Sequence, residues 1–539
     1  MFAGRNFKKR EMVMAGDIII PIVELAWHNG HESLAFLWDE YTWSHSVAGD
    51  MEYETEGGDL YAASTGIGAA INCMLPLVNV EDSSSKCDNA DLHRLADPGS
   101  GAFTPYYDRK AMSIIDILEG EELFIDYGDN YFSSRKDTYG LLPLTGDFPK
   151  ADKLLRKYQR LRDATLAEAS LQLQTDLWKV ITNFGMESRV INALPSSQEL
   201  VDELAEIGTG MQYKARSRRT LEWLNEHGQC MDNIKPALSG INQAGRGVFA
   251  SRSIGKGALV APAPLIHIPN RSVLIMYDSL PVSDNGMLER NVSSPNHAQL
   301  MINYCFGHPE SSLLLSPYGS LTSLINHSPT PNTRIQWSKT MRHPEWLKQE
   351  PLTLDDEWHS GLSFDFIALR DIVKDEEITI DYGSDWQDTW DNHVKNWVPP
   401  KGADMYQAAY ELNRQEDLVI KTIHEGPYSD SLLLWIRGFY MPQEDASDYY
   451  RVFVLDRFTC HGETLYTVAV FTTKDIERQT TIEYVGGILF ALPRDAFVFD
   501  DVPYTRDHQM TWSFRHDMKI PDDMMPEAWK NLKHGKILA

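Results

Sequence analysis

Short runs of alternating apolar and polar residues fill the middle of the chain. The segments GVFASRSIGKGALVAPAPLIHIP and FDFIALRDIVKDEEITIDYG both show them, separated by Gly, Pro or acidic turns. Alternation with period two, interrupted by turn residues, is typical of short strands and hairpins. The pattern predicts strands over 364–368 and 378–382, and a hairpin with a following edge strand around 248–268.

Between about 149 and 230 the apolar spacing becomes helical. Two sets of apolar residues each share one helix face: Leu154, Tyr158 and Leu161, then Leu166, Leu173, Leu177 and Val180. Ser196 with Glu199 forms a capping box that opens a helix ending near Gly208. A further helix runs from about Ser217 to Gly228. We therefore predict an α-helical insert over 149–230.

The C-terminal part has a third pattern. Residues 401–415 read as helical, whereas 417–515 alternate apolar stretches such as YRVFVL and YTVAVF with polar turns. The Pro-rich MKIPDDMMPEAW predicts an extended strap that ends in a short helix. We expect a mixed, strand-rich region over 401–539, without a motif that assigns its role.

The chain also repeats itself. Three blocks of the first part recur later in the same order: 3–6 in 244–247 at an offset of 241, 71–72 in 325–326 at 254, and 117–128 in 372–383 at 255. The offset changes only between the blocks and is constant within each of them, which indicates duplication of one domain. The predicted order is a domain over 1–148, the helical insert, a second copy over 231–400, and the C-terminal region.

Length and composition fit several soluble domains. A chain of 539 residues, 42% hydrophobic and 24% charged, suggests three or four globular domains. We expect no membrane span, because no run of eighteen apolar residues occurs, and the N-terminal segment does not resemble a signal peptide. Five dispersed cysteines without a CxxC pair argue against disulfides and a zinc site. The expected location is intracellular, nuclear or cytoplasmic.

The charge balance bears on partners. A formal net charge of −27 makes direct nucleic-acid binding unexpected, since the basic runs 150–162 and 214–219 fit solvated helix faces. The same charge favours basic partners such as lysine-rich protein tails.

Three short motifs could carry chemistry. Leu324–Asn332 reads LINHSPTPN, a turn that can present an amide side chain and a backbone carbonyl side by side to an adenine. Gly245-Arg246-Gly247 allows close backbone approach to a ligand, since glycine lacks a Cβ. Asp381-Tyr382-Gly383 ends a strand. Each motif alone is weak.

In order and spacing, these motifs resemble the SET-domain lysine methyltransferase family over residues 244 to about 390, and weakly over 3–135. The resemblance implies an α+β fold of β-rich SET domains, in which the NHSxxPN and DYG segments cross in a pseudoknot. It implies S-adenosylmethionine held by the backbone at Arg246 and Gly247, the Asn326 side chain and the His327 main chain. Tyr382 would align the acceptor nitrogen at the methyl-transfer pore, and no metal is implied.

Further aromatic residues have two interpretations. Trp386 and Trp390 could line a lysine channel, or could share one helix face against a core. Tyr304 or Tyr318 could supply a second catalytic hydroxyl, or could be half-buried strand residues. The family's YxG motif and zinc-binding flanks are missing, so the channel wall must come from elsewhere, for example 386–398 or the C-terminal region.

The first copy departs from the motifs. At the offset of 241 Asn6 stands for Gly247, and at the offset of 254 Cys73 stands for His327. At that second offset Asn332 aligns with Val78 unless the register slips to Asn79. A pocket that lacks its polar contacts binds poorly. We expect this copy to be a non-catalytic pseudoenzyme domain.

The predicted function is S-adenosylmethionine-dependent protein-lysine N-methylation by the second copy, on a protein with an accessible lysine, for which a basic tail is one option. One alternative is a non-catalytic SET-like scaffold that binds basic partners. Another is methylation of a non-protein amine.

Overall fold

The computed structural model describes residues 1–23, 41–44, 60–165, 171–183, 187–281, 288–356, 360–426, 428–440, 449–471, 485–502, 504 and 512–532. The chain divides into two compact units. The first comprises 1–15, 69–83 and 110–230, and the second comprises 16–68, 84–109 and 231–539. The units therefore interleave along the chain, whereas the predicted domains follow one another.

The first unit is mainly helical. Its strands Met12–Asp17, Arg109–Ser113 and Val80–Asp82 form a sheet in that order. Its helices are Ile67–Ala70, Asp129–Ser134, Lys136–Tyr139, Asp147–Thr165, Leu171–Asn183, Ser188–Asn192, Val201–Ile207 and Leu221–His227, with 3-10 turns at Leu75–Leu77, Gln198–Leu200 and Thr209–Ser217. The predicted helical insert is thus confirmed as helical.

Details of the helical insert differ from the prediction. Ser197, not Ser196, caps the first turn by accepting from the N–H of Glu199 at 3.2 Å. Leu173 and Val180 are exposed, because Trp178 carries the buried face of its helix instead. Tyr158 is buried as expected, and Leu161 is exposed. Leu166 lies outside the described residues.

The second unit is strand-rich. Its largest sheet has the order Thr333–Trp337, Ser363–Ala368, Leu259–Ile268, Leu314–Pro317, Phe306–Gly307 and Met518–Lys519. A three-stranded sheet places Leu60–Ser64 between Ile19–Val23 and Thr42–Ser44. Two-stranded pairs are Ile234–Leu238 with Arg246–Ala250, Ile275–Pro281 with Leu288–Ala298, and Lys86–Cys87 with Tyr106–Tyr107.

The C-terminal region adds a sheet with the order Val485–Leu492, Glu463–Phe471, Tyr449–Cys460, Leu432–Arg437 and Phe497–Asp501. The helix Ala409–Arg414 packs on it. Among its described residues this unit also has the helix Ser384–Asn396, and 3-10 turns lie at Arg271–Leu274, Leu300–Tyr304, Thr322–Leu324, Pro344–Lys348, Pro351–Asp356, Ala403–Met405, Gly438–Tyr440, Arg494–Ala496, Asp522–Met524 and Glu527–Trp529. Short strands together with helices confirm the α+β class.

Two segments of the second unit lie side by side. Asn326–His327 pairs in parallel with Thr379–Ile380. Asn332, which is buried, donates from Nδ2 to the carbonyl of Glu377 at 2.7 Å and accepts from the N–H of Thr379 at 2.9 Å. The Asn332 side chain therefore makes two hydrogen bonds that a paired strand would otherwise make, and these bonds link its segment to residues 377–379.

The first unit contains the same contacts. Asn72 pairs in parallel with Phe124. Asn79 donates to the carbonyl of Glu122 at 2.8 Å and accepts from the N–H of Phe124 at 2.8 Å. The structural counterpart of Asn332 is thus Asn79 and not Val78, so the alignment is shifted by one residue at this point.

The N-terminal register also differs from the prediction. Phe2 pairs with Glu122 and Phe7 with Ile117, just as Phe249 pairs with Glu377 and Ile254 with Ile372. These backbone pairings align FAGRNF (2–7) with FASRSI (249–254), which is an offset of 247 rather than 241. Asn6 therefore does not occupy the place of Gly247, and that prediction is wrong. A glycine match over four residues gives too little register information to fix an alignment.

We predict that Asn332→Ala strongly destabilises the second unit. The substitution leaves a buried carbonyl and a buried N–H without their partner, at about 1–3 kcal/mol for each group. Asn79→Ala should destabilise the first unit for the same reason. Urea unfolding of the full chain measures both, and the exposed Asn392→Ala is the control. Wild-type stability of Asn332→Ala would contradict this role.

Candidate functional site

A cavity of about 260 Å³ lies in the second unit. Its walls come from segments far apart in sequence, within 102–104, 241–246, 303–306, 317–329, 380–391 and 514–518. The predicted site residues on its lining are Arg246, Asn326, His327, Tyr382, Tyr304, Trp386 and Trp390. The fold therefore brings most of them to one place.

The amide of Asn326 is oriented by two acceptors. Nδ2 donates to the carbonyl of Arg246 at 2.9 Å and to Oε1 of Glu377 at 3.1 Å. A carbonyl and a carboxylate can only accept, so the amide hydrogens must face them. The Oδ1 atom of Asn326 is left as the acceptor that a ligand N–H can use.

Glu377 links this amide to the neighbouring turn. It accepts from the hydroxyl of Ser239 at 2.6 Å and from the N–H of Gly240 at 3.0 Å. Glu377 is not among the site residues predicted from the sequence. The available signal was its place in the repeated Glu-Glu pair before the DYG motif.

The two glycines of the GxG motif are required for packing. A Cβ on Gly247 would collide with the Glu377 carboxylate and lie 2.9 Å from Nδ2 of Asn326. Gly245 has φ +69, a left-handed conformation that favours glycine. A Cβ there would also lie 2.5 Å from the ring of Phe103. The absence of a Cβ thus lets Glu377 and Asn326 pack against Gly247 and lets the ring of Phe103 pack against Gly245.

His327 acts through its ring as well as its backbone. Nδ1 accepts from the N–H of Tyr382 at 3.0 Å, which requires a neutral imidazole with its proton on Nε2. Burial lowers the pKa of His327, against a smaller raising effect of Gln387. The ring also contacts Trp386, with centroids 5.2 Å apart. The predicted role covered only the main chain.

Two tyrosine hydroxyls lie on the cavity lining. Tyr382 donates its O–H to the carbonyl of Ile325 at 2.5 Å, so its oxygen can only accept from a ligand. The Tyr304 oxygen accepts from the N–H of Thr104 at 2.8 Å, so its O–H can donate. Burial raises the pKa of both phenols, which keeps them protonated at neutral pH.

Tyr318 does not line the cavity. Its hydroxyl shares a hydrogen bond of 2.7 Å with Ser360, and its ring packs against Tyr41 with centroids 5.4 Å apart. Gly247 lies behind the lining, against Glu377.

One wall of the cavity is aromatic. Trp386 and Trp390 stack on one face of the helix Ser384–Asn396, with centroids 5.7 Å apart, and Phe514 meets both rings edge-on. The two interpretations of these tryptophans are therefore compatible, because one helix face both packs and lines the cavity.

The C-terminal strap is fastened beside this wall. The N–H of Met518 donates to the carbonyl of Cys305 at 2.8 Å, and the N–H of Lys519 donates to the carbonyl of Tyr382 at 2.9 Å. Phe514, Met518, Phe103 and Thr104 were all missed as lining residues. No local motif marks them, because only long-range packing brings them here.

Two absences apply to the described part of the chain alone. There, no three His, Cys, Asp or Glu side chains are grouped so that they could hold a metal ion. Likewise, no helix among those residues has the length and apolarity needed to cross a membrane.

Residues 245–383 match the sequence model of the SET domain, and this part of the chain is a SET domain. A search of curated proteins found no match.

Among solved structures, a candidate histone methyltransferase of Plasmodium falciparum matches at 22% identity, over 29% of this chain and 99% of that one, with a TM-score of 0.18. The Chaetomium thermophilum polycomb repressive complex 2 matches at 19% identity, over 32% of this chain and 17% of that one, with a TM-score of 0.19. The chain thus spans under a fifth of that relative. Likeness this low carries no inference about activity.

We predict that the neutral His327 makes stability pH-dependent. Because the folded pKa lies below the ordinary value of 6.5, its contribution is present above about pH 6.5 and is lost as pH falls towards the folded pKa. His327→Asn keeps an acceptor near Nδ1 but does not titrate. Melting temperatures between pH 8 and 5 should therefore fall less for this variant than for the wild type. Identical pH profiles would contradict the assignment, and the exposed His227→Asn is the control.

Proposed function

We propose that this protein is an S-adenosylmethionine-dependent protein-lysine N-methyltransferase, with its site in the predicted 231–400 domain. The main support is that Asn326, His327 and Tyr382, which all belong to the matched SET residues 245–383, line one cavity. The hydrogen bonds of Asn326 to Arg246 and Glu377, and of Tyr382 to Ile325, leave one acceptor of Asn326 and the Tyr382 oxygen available for ligands.

The residues fit the cofactor. Asn326 Oδ1 can accept an N–H of the cofactor, and Gly245 and Gly247 leave room for the Phe103 ring and the Glu377 carboxylate that pack beside this part of the backbone. The aromatic wall of Trp386 and Trp390 offers π-faces to a cationic or planar group. When bound, the cofactor supplies an electrophilic methyl group on sulfur, which needs no metal.

The tyrosines fit an amine acceptor. A lysine has a pKa of about 10.4 in water and must lose its proton to react. Desolvation among Tyr382, Tyr304 and the tryptophans disfavours the ammonium form. The Tyr382 oxygen, which can only accept, would hold an N–H of the amine and direct its lone pair. The residues thus contribute positioning and electrostatics rather than a strong base.

We further propose that the first copy is a duplicated but non-catalytic SET-like domain. Tyr127 donates to the carbonyl of Ile71 at 2.5 Å, as Tyr382 does to Ile325. Asn72 donates to the carboxylate of Glu122 at 2.9 Å, as Asn326 does to Glu377. Cys73, in the place of His327, is half-buried, and burial raises its thiol pKa to about 11. These shared contacts support the duplication.

The proposed substrate is a protein with an accessible lysine, and the net charge of −27 favours a basic segment. Action in the nucleus or cytoplasm is part of the proposal. Incubation with labelled cofactor and a cell extract would identify the substrate. Labelling of small amines but of no protein would contradict the protein substrate.

We predict that Tyr382→Phe separates binding from turnover. The ring stays in place, so calorimetry should find S-adenosylhomocysteine bound within about twofold of wild type, while turnover falls by about a hundredfold or more. The matched control is Tyr127→Phe, which loses the same hydrogen bond in the first copy and should keep full turnover. Wild-type turnover by Tyr382→Phe would contradict the assigned role.

We predict that Asn326→Asp abolishes most of the cofactor binding. The new carboxylate would face the carbonyl of Arg246 and the carboxylate of Glu377, which is repulsive. Calorimetry of the full chain should show a Kd at least about tenfold higher. The exposed Asn392→Asp serves as the control. If the wild-type chain binds no S-adenosylhomocysteine, the scaffold interpretation replaces the enzyme.

A further inference from the structure

We infer that residues 84–109 form part of the cofactor site of the SET domain, through a clamp on Arg246 made by Asp88 and Tyr107. This inference rests on the proposed function, since it names positioning residues for the same site. The three side chains Asp88, Tyr107 and Arg246 are called the Arg246 clamp.

The clamp is a closed set of contacts. The guanidinium of Arg246, only 8% exposed, pairs with the carboxylate of Asp88. The carbon of the guanidinium lies 3.4 Å from the ring centre of Tyr107. The Tyr107 hydroxyl donates to the other carboxylate oxygen of Asp88 at 3.0 Å. Every pair in the set is thus in direct contact.

A short antiparallel strand pair holds the clamp residues in place. Lys86–Cys87 pairs with Tyr106–Tyr107, and the N–H of Asp88 donates to the carbonyl of Pro105 at 3.1 Å. Asp88 and Tyr107 therefore reach Arg246 from a fixed backbone, which lowers the entropy cost of holding the guanidinium.

The clamp acts on the site through the backbone of Arg246. Its carbonyl accepts from the amide of Asn326 at 2.9 Å and so helps to orient that amide. The neighbouring Gly245 packs against the ring of Phe103, which itself lines the cavity. Residues 84–109 thus fix the GxG backbone from two directions.

The physical reason is charge burial. A guanidinium this deeply buried requires its counter-ion, because an unpaired buried charge is strongly unfavourable. If Asp88 is neutralised, Arg246 must move towards water and displace the carbonyl that orients Asn326. Asp88 and Tyr107 would therefore act on cofactor affinity without touching the cofactor.

The test is a double-mutant cycle on the full chain, with S-adenosylhomocysteine binding measured by calorimetry. The variants are Asp88→Asn, Arg246→Gln and the two combined. Each single variant should raise the Kd about tenfold. The neutral pair in the double variant should raise it less than the product of the single effects. Tyr107→Leu should also raise the Kd.

The matched control is the exposed ion pair between Arg252 and Asp232, whose side chains are 51% and 73% exposed. Arg252→Gln and Asp232→Asn should leave the Kd within about twofold, since exposed pairs contribute little. With saturating cofactor, turnover of Asp88→Asn should approach the wild-type value, because only the KM for the cofactor changes.

Unchanged affinity in Asp88→Asn, or single effects that multiply in the double variant, would overturn the clamp. Loss of turnover at saturating cofactor would overturn it too, since that result indicates general damage to the domain. Failure of the wild-type chain to bind S-adenosylhomocysteine would instead count against the proposed function.

Discussion

The site depends on one constraint, the side-by-side pairing of the segments that carry Asn326 and Tyr382. Side chains complete this pairing where the backbone alone cannot. Asn332 satisfies a carbonyl and an N–H of the second segment, and Asn326 bonds to Glu377. Because these groups are largely buried, a shift of either segment would leave several hydrogen bonds unmade. The same pairing positions the hydroxyl of Tyr382 against the carbonyl of Ile325 and the ring of His327 against the N–H of Tyr382.

The same constraint explains the glycine motif and the charge states of the site. Gly247 leaves room for the Glu377 carboxylate against the Asn326 amide. The lowered pKa of His327 keeps its Nδ1 free to accept, and the raised pKa of Tyr382 keeps the phenol protonated, so that its hydroxyl donates to the carbonyl of Ile325. Burial therefore fixes which atoms are donors and which are acceptors before any ligand arrives.

The cavity is completed by segments that lie far from the SET motifs in sequence. Phe103 comes from the first part of the chain and Phe514 from its C-terminal end. The segment that carries Phe514 leads into the strap, which begins with Met518–Lys519, and the N–H of Lys519 donates to the carbonyl of Tyr382. The matched SET residues 245–383 thus supply the polar network, while other segments supply much of the apolar wall.

The sequence by itself determined the SET domain, the α+β class, the helical insert and several of the polar residues that line the cavity. It could do so because the motifs are local and turn chemistry and periodicity are read over a few residues. It also gave a repeat, but with its first block misaligned by six positions, because short glycine matches carry little register. Only the tertiary structure chose Tyr304 over Tyr318 for the cavity and revealed Glu377, Phe103 and the Arg246 clamp. The contacts of Asn326 with Glu377 and of Asp88 with Arg246 join residues 51 and 158 positions apart, and these partners are set by packing rather than by any local pattern.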